Sequence, residues 1–136
     1  MGFFSRLLGI SRTAVPANPR CWRYGDGQVI VDLGACSELA SKGGAVRLEG
    51  NNLPIRVLVV HGEDGGYHAF HNRCSHAGRR LDALPGQPRL ECCSVGKSTF
   101  EYDGSKVSGS AKGPASALPV TEQNGRLYIN LGRGAL

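Results

Sequence analysis

The stretches NRCSHAGRRL (residues 72–81) and LECCSVGKSTF (residues 90–100) decide how this chain is read. In the first, Cys74 and His76 alternate within a segment that lacks strand or helix periodicity. Loop backbone can aim two such side chains at one point, whereas on a strand they would merely share a face. The second stretch brings Cys92 and Cys93, so two thiol-bearing loops are available to wrap a metal from two sides. Zinc needs four Cys or His donors in a tetrahedral array, and Cys74, His76, Cys92 and Cys93 are the local supply. Adjacent cysteines diverge in an extended segment, which makes a zinc-bound structural module the weaker metal reading.

Around these loops the sequence reads as short strands and tight turns. GQVIVDL (27–33) has the β-branched density of a strand, AVRLEG resumes the alternation, and PIRVLVVHG (54–62) is apolar enough for partial burial on both faces. EDGG before YHAFHN predicts a hairpin, as do Asp103-Gly104 in TFEYDGSKVSG and Asn124-Gly125 in LPVTEQNGRLYINL, because each turn offers residues that accept positive φ. ACSELASKGG reads as a polar turn, AGRRLDALPGQPRLE as a loop ending in the short strand RLE, and AKGPASALP as a Pro/Gly loop. The expected fold is all-β and antiparallel, a sandwich or barrel with a small metal-binding subdomain.

The chain has 136 residues, 40% of them hydrophobic, and 20 glycines, which fits one β-rich domain with its own core. Residues 1–22 are expected to form an N-terminal arm, 23–136 the domain, and about 72–117 the metal-binding lobe. Five cysteines are an odd number at irregular spacings, and no secretory signal precedes them. A reducing, cytoplasmic setting is therefore expected. FFSRLLGI is interrupted by Arg6 and too short to span a bilayer. The net charge of +5 is scattered, with no basic run suggesting nucleic acid. Cys21 and Cys36 read as apolar fillers, and Trp22 and Tyr24 as residues packing the arm onto the domain. No nucleophile with its base, no carboxylate pair and no phosphate loop is present, so the chain is not expected to be an enzyme in its own right.

NRCSHAGRRL, RLECCSVGKSTFEYDG and GPASALPV together resemble the Rieske family of iron-sulfur domains, over roughly Gln28 to Leu131. By that resemblance a [2Fe-2S] cluster sits between a Cys-x-His loop and a Cys-x-x-His loop, with two thiolates on one iron and two imidazoles on the other. Carried over, Cys74 and His76 match the first loop. Cys93 matches the second-loop thiolate because its spacing to Phe100 agrees with the family's aromatic, and Cys92 is the alternative ligand. The second histidine is absent: the position is Gly96 counted from Cys93 and Val95 counted from Cys92, while His61, His68 and His71 all precede the first loop.

Lys97, the nearest side chain with a nitrogen, is assigned to the open ligand position. To coordinate iron it must lose its proton, and lowering its pKa from about 10.4 to neutrality costs roughly 4 to 5 kcal/mol. A ferric centre in a dry pocket could supply that; otherwise Lys97 is a solvated surface charge. Three outcomes stay open: a cluster completed by Lys97 or a solvent oxygen, a site in which Cys92 adds a third thiolate and depresses the potential below about −150 to +300 mV, and no cluster at all. Arg79 stands where the bracing cysteine of high-potential relatives falls, which points to the ferredoxin-like or oxygenase-associated kind. The implied role is one-electron transfer to or from a redox partner protein, a reductase or an oxygenase. The competing reading is a cluster-free Rieske-fold subunit with a binding or regulatory role. Arg79 and Arg80, beside the presumed tip, are candidate contacts for an acidic partner.

Overall fold

The computed structural model describes residues 13–74, 78–84, 86–93, 98–109, 111 and 113–132. Their strands form three four-stranded antiparallel sheets. The base sheet contains β1 (Trp22–Gly25), β2 (Gln28–Asp32), β11 (Val120–Gln123) and β12 (Arg126–Asn130), in the order β1-β2-β12-β11. The middle sheet contains β3 (Ala45–Leu48), β4 (Val57–His61), β5 (Tyr67–His71) and β10 (Ala117–Leu118), in the order β10-β5-β4-β3. The lobe sheet runs β6 (Leu81–Ala83), β7 (Arg89–Cys92), β8 (Thr99–Glu101) and β9 (Lys106–Ser108) in sequence order. The all-β expectation is borne out.

The apolar run VLVV in β4 explains the layering. Strand side chains alternate between faces, so a run with no polar break is stable only where both faces are covered. Val57 and Val59 pack with Val29, Val31, Leu127 and Ile129 in the base core, while Leu58 and Val60 pack with Leu81, Leu90 and Phe100 in the lobe core. β5 does the same, sending Ala69 to the base and Phe70 to the lobe. The middle sheet is thus a shared wall. Each of its fully buried Val, Leu and Phe side chains contributes roughly 1.5 to 3 kcal/mol of transfer free energy, so the lobe cannot loosen without exposing one face of β4.

The three expected hairpins are present, joining β4 to β5, β8 to β9 and β11 to β12. Asn124 and Gly125 have φ of 53° and 76°, the paired positive values of a type I′ turn. Asp26 and Gly27, at 54° and 74°, make a fourth hairpin of the same kind between β1 and β2. Two segments read as loop contain strands: Leu81–Ala83 pairs with β7, and Ala117–Leu118 pairs with β5. Two short 3₁₀ turns, Leu33–Ala35 running into ACSELASKGG and Ser37–Leu39 within it, occupy this stretch. Within the described part of the arm, Thr13 bonds through its amide and hydroxyl to the buried Asp82 carboxylate on β6, at 3.0 and 2.6 Å. Arg47 on β3 holds the same segment through the carbonyls of Thr13 and Ala14.

Candidate metal centre

The lobe sheet and the end of β5 bring the two cysteine loops to one place. Asn72 follows β5 and is fully buried; its Oδ1 accepts the Leu81 amide at 2.7 Å, which closes residues 72–81 into one loop. Inside that loop the Cys74 amide donates to Arg79 O at 2.7 Å and the Gly78 amide to Cys74 O at 2.9 Å. The Cys93 amide donates to the next carbonyl, Arg80 O, at 3.1 Å. Cys74 and Cys93 therefore hang from consecutive carbonyls of one strand lead-in, which fixes the thiol-bearing loops against each other.

Two arginines hold this arrangement from outside. Arg56, just before β4, donates through Nε to Asn72 O at 3.1 Å and through Nη2 to Gly78 O at 2.7 Å, so it clamps both ends of the Cys74 segment. Arg80 makes a two-point pair with Glu49, 2.6 and 3.0 Å, and Glu49 also meets Arg47 at 3.2 Å. The Arg80 guanidinium, with its hydrogen bonds to the carboxylate, and then Arg47 hold the Glu49 carboxyl below its ordinary range. The Arg80 guanidinium, a candidate partner contact from sequence, is thus engaged with Glu49 within the fold. Arg56 was missed from sequence, where it is only a lone cation before an apolar strand.

Cys74, Cys92 and Cys93 are all buried, and none of the five cysteines is in a disulfide. Cys92 ends β7 with its side chain in the lobe core, beside Leu58, Leu81 and Phe100, and Cys74 belongs to the same apolar cluster. Cys93 lies one residue on, outside that cluster, on the side of Arg80 and Asp82. Burial, then the neighbouring charges of Cys92 and Asp82, push its thiol pKa up. In isolation Cys93 is a protonated thiol, and a cationic iron is what would make it a thiolate. His76 and Lys97 lie outside the described residues. No group of three or more metal-ligating side chains occurs among the described residues.

The fit of these residues to a [2Fe-2S] cluster turns on donors and on one unpaired atom. Cys74 and Cys93, two buried thiols anchored on adjacent carbonyls, would supply the thiolate half, and His76 is one imidazole in sequence. No histidine occurs after His76. Asn72 Nδ2, two residues from Cys74, is buried and has no hydrogen-bond partner among the described residues. An unpaired buried N–H is costly, and an acceptor-rich anionic group beside it would relieve that cost. The two buried thiols, and an amide N–H without a partner among the described residues, are therefore compatible with the cluster, while His76 and Lys97 lie outside the described residues.

Over 109 residues the chain is 36% identical to the glycine betaine monooxygenase oxygenase subunit of Chromohalobacter salexigens, covering 73% of this chain and 24% of that protein. The namesake subunit from Pseudomonas aeruginosa is 38% identical over 72 residues, 52% of this chain and 16% of its own length. The chain spans a quarter or less of these relatives. Among solved structures, a quaternary ammonium Rieske monooxygenase bound to L-carnitine superposes with a TM-score of 0.60 at 22% identity, over 87% of this chain and 34% of that one. The ferredoxin of carbazole 1,9a-dioxygenase from Nocardioides aromaticivorans gives 0.57 at 21% identity, over 68% of this chain and 88% of that one. These likenesses establish the fold. Residues 25–120 match the family model for the Rieske [2Fe-2S] domain, a span that takes in both cysteine loops and the sheet that holds them, and the chain belongs to that family.

Proposed function

We propose that this chain is a one-electron carrier whose [2Fe-2S] cluster is held by Cys74, Cys93 and His76, with Lys97, one residue beyond the position of the family's second histidine, filling the open ligand place. The observation that carries the reading is the pair of amide bonds from Cys74 and Cys93 to the consecutive carbonyls of Arg79 and Arg80. When bound, the cluster supplies reversible one-electron chemistry. The chain's own part is to keep both thiols out of water, to fix the loops through Arg56, Arg80 and Glu49, and to present Asn72 Nδ2 as a buried donor. Cys92 serves in this reading as lobe core.

The partner in this reading is a reductase or an oxygenase. A structural likeness supports that choice: the complex of reduced oxygenase and oxidized ferredoxin in carbazole 1,9a-dioxygenase contains a chain that superposes with a TM-score of 0.59 over 68% of this chain. We place the chain in a reducing cytoplasmic compartment, where five buried thiols stay reduced. The test is spectroscopic. Anaerobically purified chain should be red-brown, bleach with dithionite and give the rhombic signal of a reduced [2Fe-2S] centre.

One observation favours a second reading, a cluster-free Rieske-fold subunit that binds a reductase or oxygenase: no histidine follows His76, so the second loop lacks its imidazole. A colourless preparation that keeps its fold and binds its partner without iron would establish that reading instead.

A further inference from the structure

Positive charge that is scattered along the sequence is gathered by the fold on one face of the base sheet. Val29 and Val31 of β2 point into the base core, so Ile30 and Asp32 belong to the opposite, outer face. Arg23 on β1 pairs with Ile30 and Arg126 on β12 with Asp32, which puts both arginines on that face, on either side of β2. Arg20, in the 3₁₀ turn before β1, joins them, and the three line an open cleft of about 190 Å³ with Ile30 and Asp32. All three arginines are exposed, and their guanidiniums have no ion pair or hydrogen bond among the described residues. Arg47, Arg56, Arg80 and Arg89, by contrast, are engaged with carboxylates or carbonyls of the fold. Asp32 is the one acid lining the cleft among the described residues, and its Oδ1 already accepts the Gly34 amide at 3.0 Å. Three guanidiniums against one carboxylate leave two positive charges there.

We propose that this outer face docks an acidic segment of a partner protein, with Arg23 and Arg126 closing on one of its carboxylates over Ile30. β1 and β12 lie about 10 Å apart across β2, and the offset of two residues adds roughly 7 Å along the strands, a diagonal of about 12 Å. Arginine side chains leaning in from both ends meet across that distance, and a guanidinium fork grips a carboxylate at two points. The shape fits a polypeptide better than a metabolite. The cleft is open and smaller than the roughly 300 to 1,000 Å³ of a small-molecule pocket. A second open cleft, also about 190 Å³, shares Arg23 and Ile30 with the first and continues past Tyr24 and Gln28. Two shallow clefts side by side suit neighbouring side chains of an extended segment: a carboxylate between Arg23 and Arg126, and an uncharged side chain in the second cleft, where Asp26 offsets Arg23. The whole middle sheet separates the base sheet from the lobe sheet, so at about 10 Å per layer this face lies roughly 20 Å or more from the lobe sheet. A partner held there leaves the cysteine loops uncovered.

The experiment uses the full chain and fluorescein-labelled hexaglutamate, followed by fluorescence anisotropy at about 50 and about 200 mM NaCl. The peptide should bind the wild type, several-fold more weakly at the higher salt, and labelled hexalysine should not bind. Arg23→Glu combined with Arg126→Glu should weaken binding about tenfold or more, and Arg23→Gln alone roughly threefold. Both side chains are exposed and unpartnered among the described residues, so these variants keep the fold, which their urea midpoints check. Arg73→Glu combined with Lys106→Glu makes the same change of net charge at exposed positions elsewhere, and should weaken binding less than about threefold. Absence of binding, equal weakening by the two double variants, or tighter binding of pyrophosphate than of the peptide overturns the proposal. So does self-association of the chain that Arg23→Glu with Arg126→Glu abolishes, since the occupant is then a second copy. No iron is needed, so the outcome is independent of the carrier reading.

Discussion

Replacing Glu49 by Gln tests the arrangement that supports the second cysteine loop. The Glu49 carboxylate accepts two hydrogen bonds from Arg80, 2.6 and 3.0 Å, and lies 3.2 Å from Arg47. Its side chain is 21% exposed and that of Arg80 33% exposed. A buried charge-assisted bond contributes about 1.5 to 3 kcal/mol and a fully exposed ion pair about 0.2 to 1, so this half-sheltered two-point pair falls near 1 to 2 kcal/mol. For a domain of this size that shifts a urea midpoint by roughly 0.5 to 1 M. The pH dependence is specific: the folded carboxyl lies below its unfolded value of about 4.5, so its stabilisation is full above that pH and disappears as pH falls through the folded value. Urea unfolding of wild type and Glu49→Gln between pH 3 and pH 7 measures it. The gap should be widest at pH 6 to 7 and close towards pH 3. A gap that stays constant across this range, or one no larger than that of Glu101→Gln at the exposed Arg89 pair 3.8 Å away, would refute the assignment.

The remaining tests address the loops. Gly104→Ala places a methyl group against the Ala115 carbonyl at a φ of 94°, and should cost about 3 kcal/mol in urea unfolding by displacing the Gly-Pro-Ala segment. Arg56→Gln removes the bond to Gly78 O and should speed amide exchange at Cys74 and Gly78 roughly tenfold or more, with little effect on the base sheet. Lys97→His restores an imidazole to the second loop, and should raise iron content and shift the reduction potential upward, as read by metal analysis and by redox titration. An unchanged iron content and spectrum would remove Lys97 from the ligand set.

How far the sequence could be read follows from where its signals are local. Turns that need positive φ announce themselves, so the hairpins at Asp103-Gly104 and Asn124-Gly125 were legible, as was β4 from its unbroken apolar run. Asp26-Gly27 carried the same turn signal, and was passed over because the flanking Pro and Arg residues hid the short strand at Trp22. β6 and β10 were missed for another reason: Leu81–Ala83 and Ala117–Leu118 are too short to show alternation, and only pairing with β7 and β5 makes them strands. At the candidate site, the approach of the two cysteine loops was legible from spacing, and the Cys74 and Cys93 amides meet the consecutive carbonyls of Arg79 and Arg80. The Glu49–Arg80 pair and the Arg56 clamp were not legible, because they join residues far apart in the chain. The fold also shows what spacing could not, that Cys92 lies in the lobe core beside Phe100 and Cys93 outside it.

The central claim is that this fold holds two irons although its second loop has no histidine. Iron and acid-labile sulfide per folded chain, measured on material prepared without oxygen, test it most directly. The account predicts iron and sulfide in equal amounts, both lost on replacing Cys74 or Cys93 by Ser and both retained on replacing Cys92 by Ala. A folded chain containing neither iron nor sulfide, or a cluster that survives loss of Cys93 and not of Cys92, contradicts it.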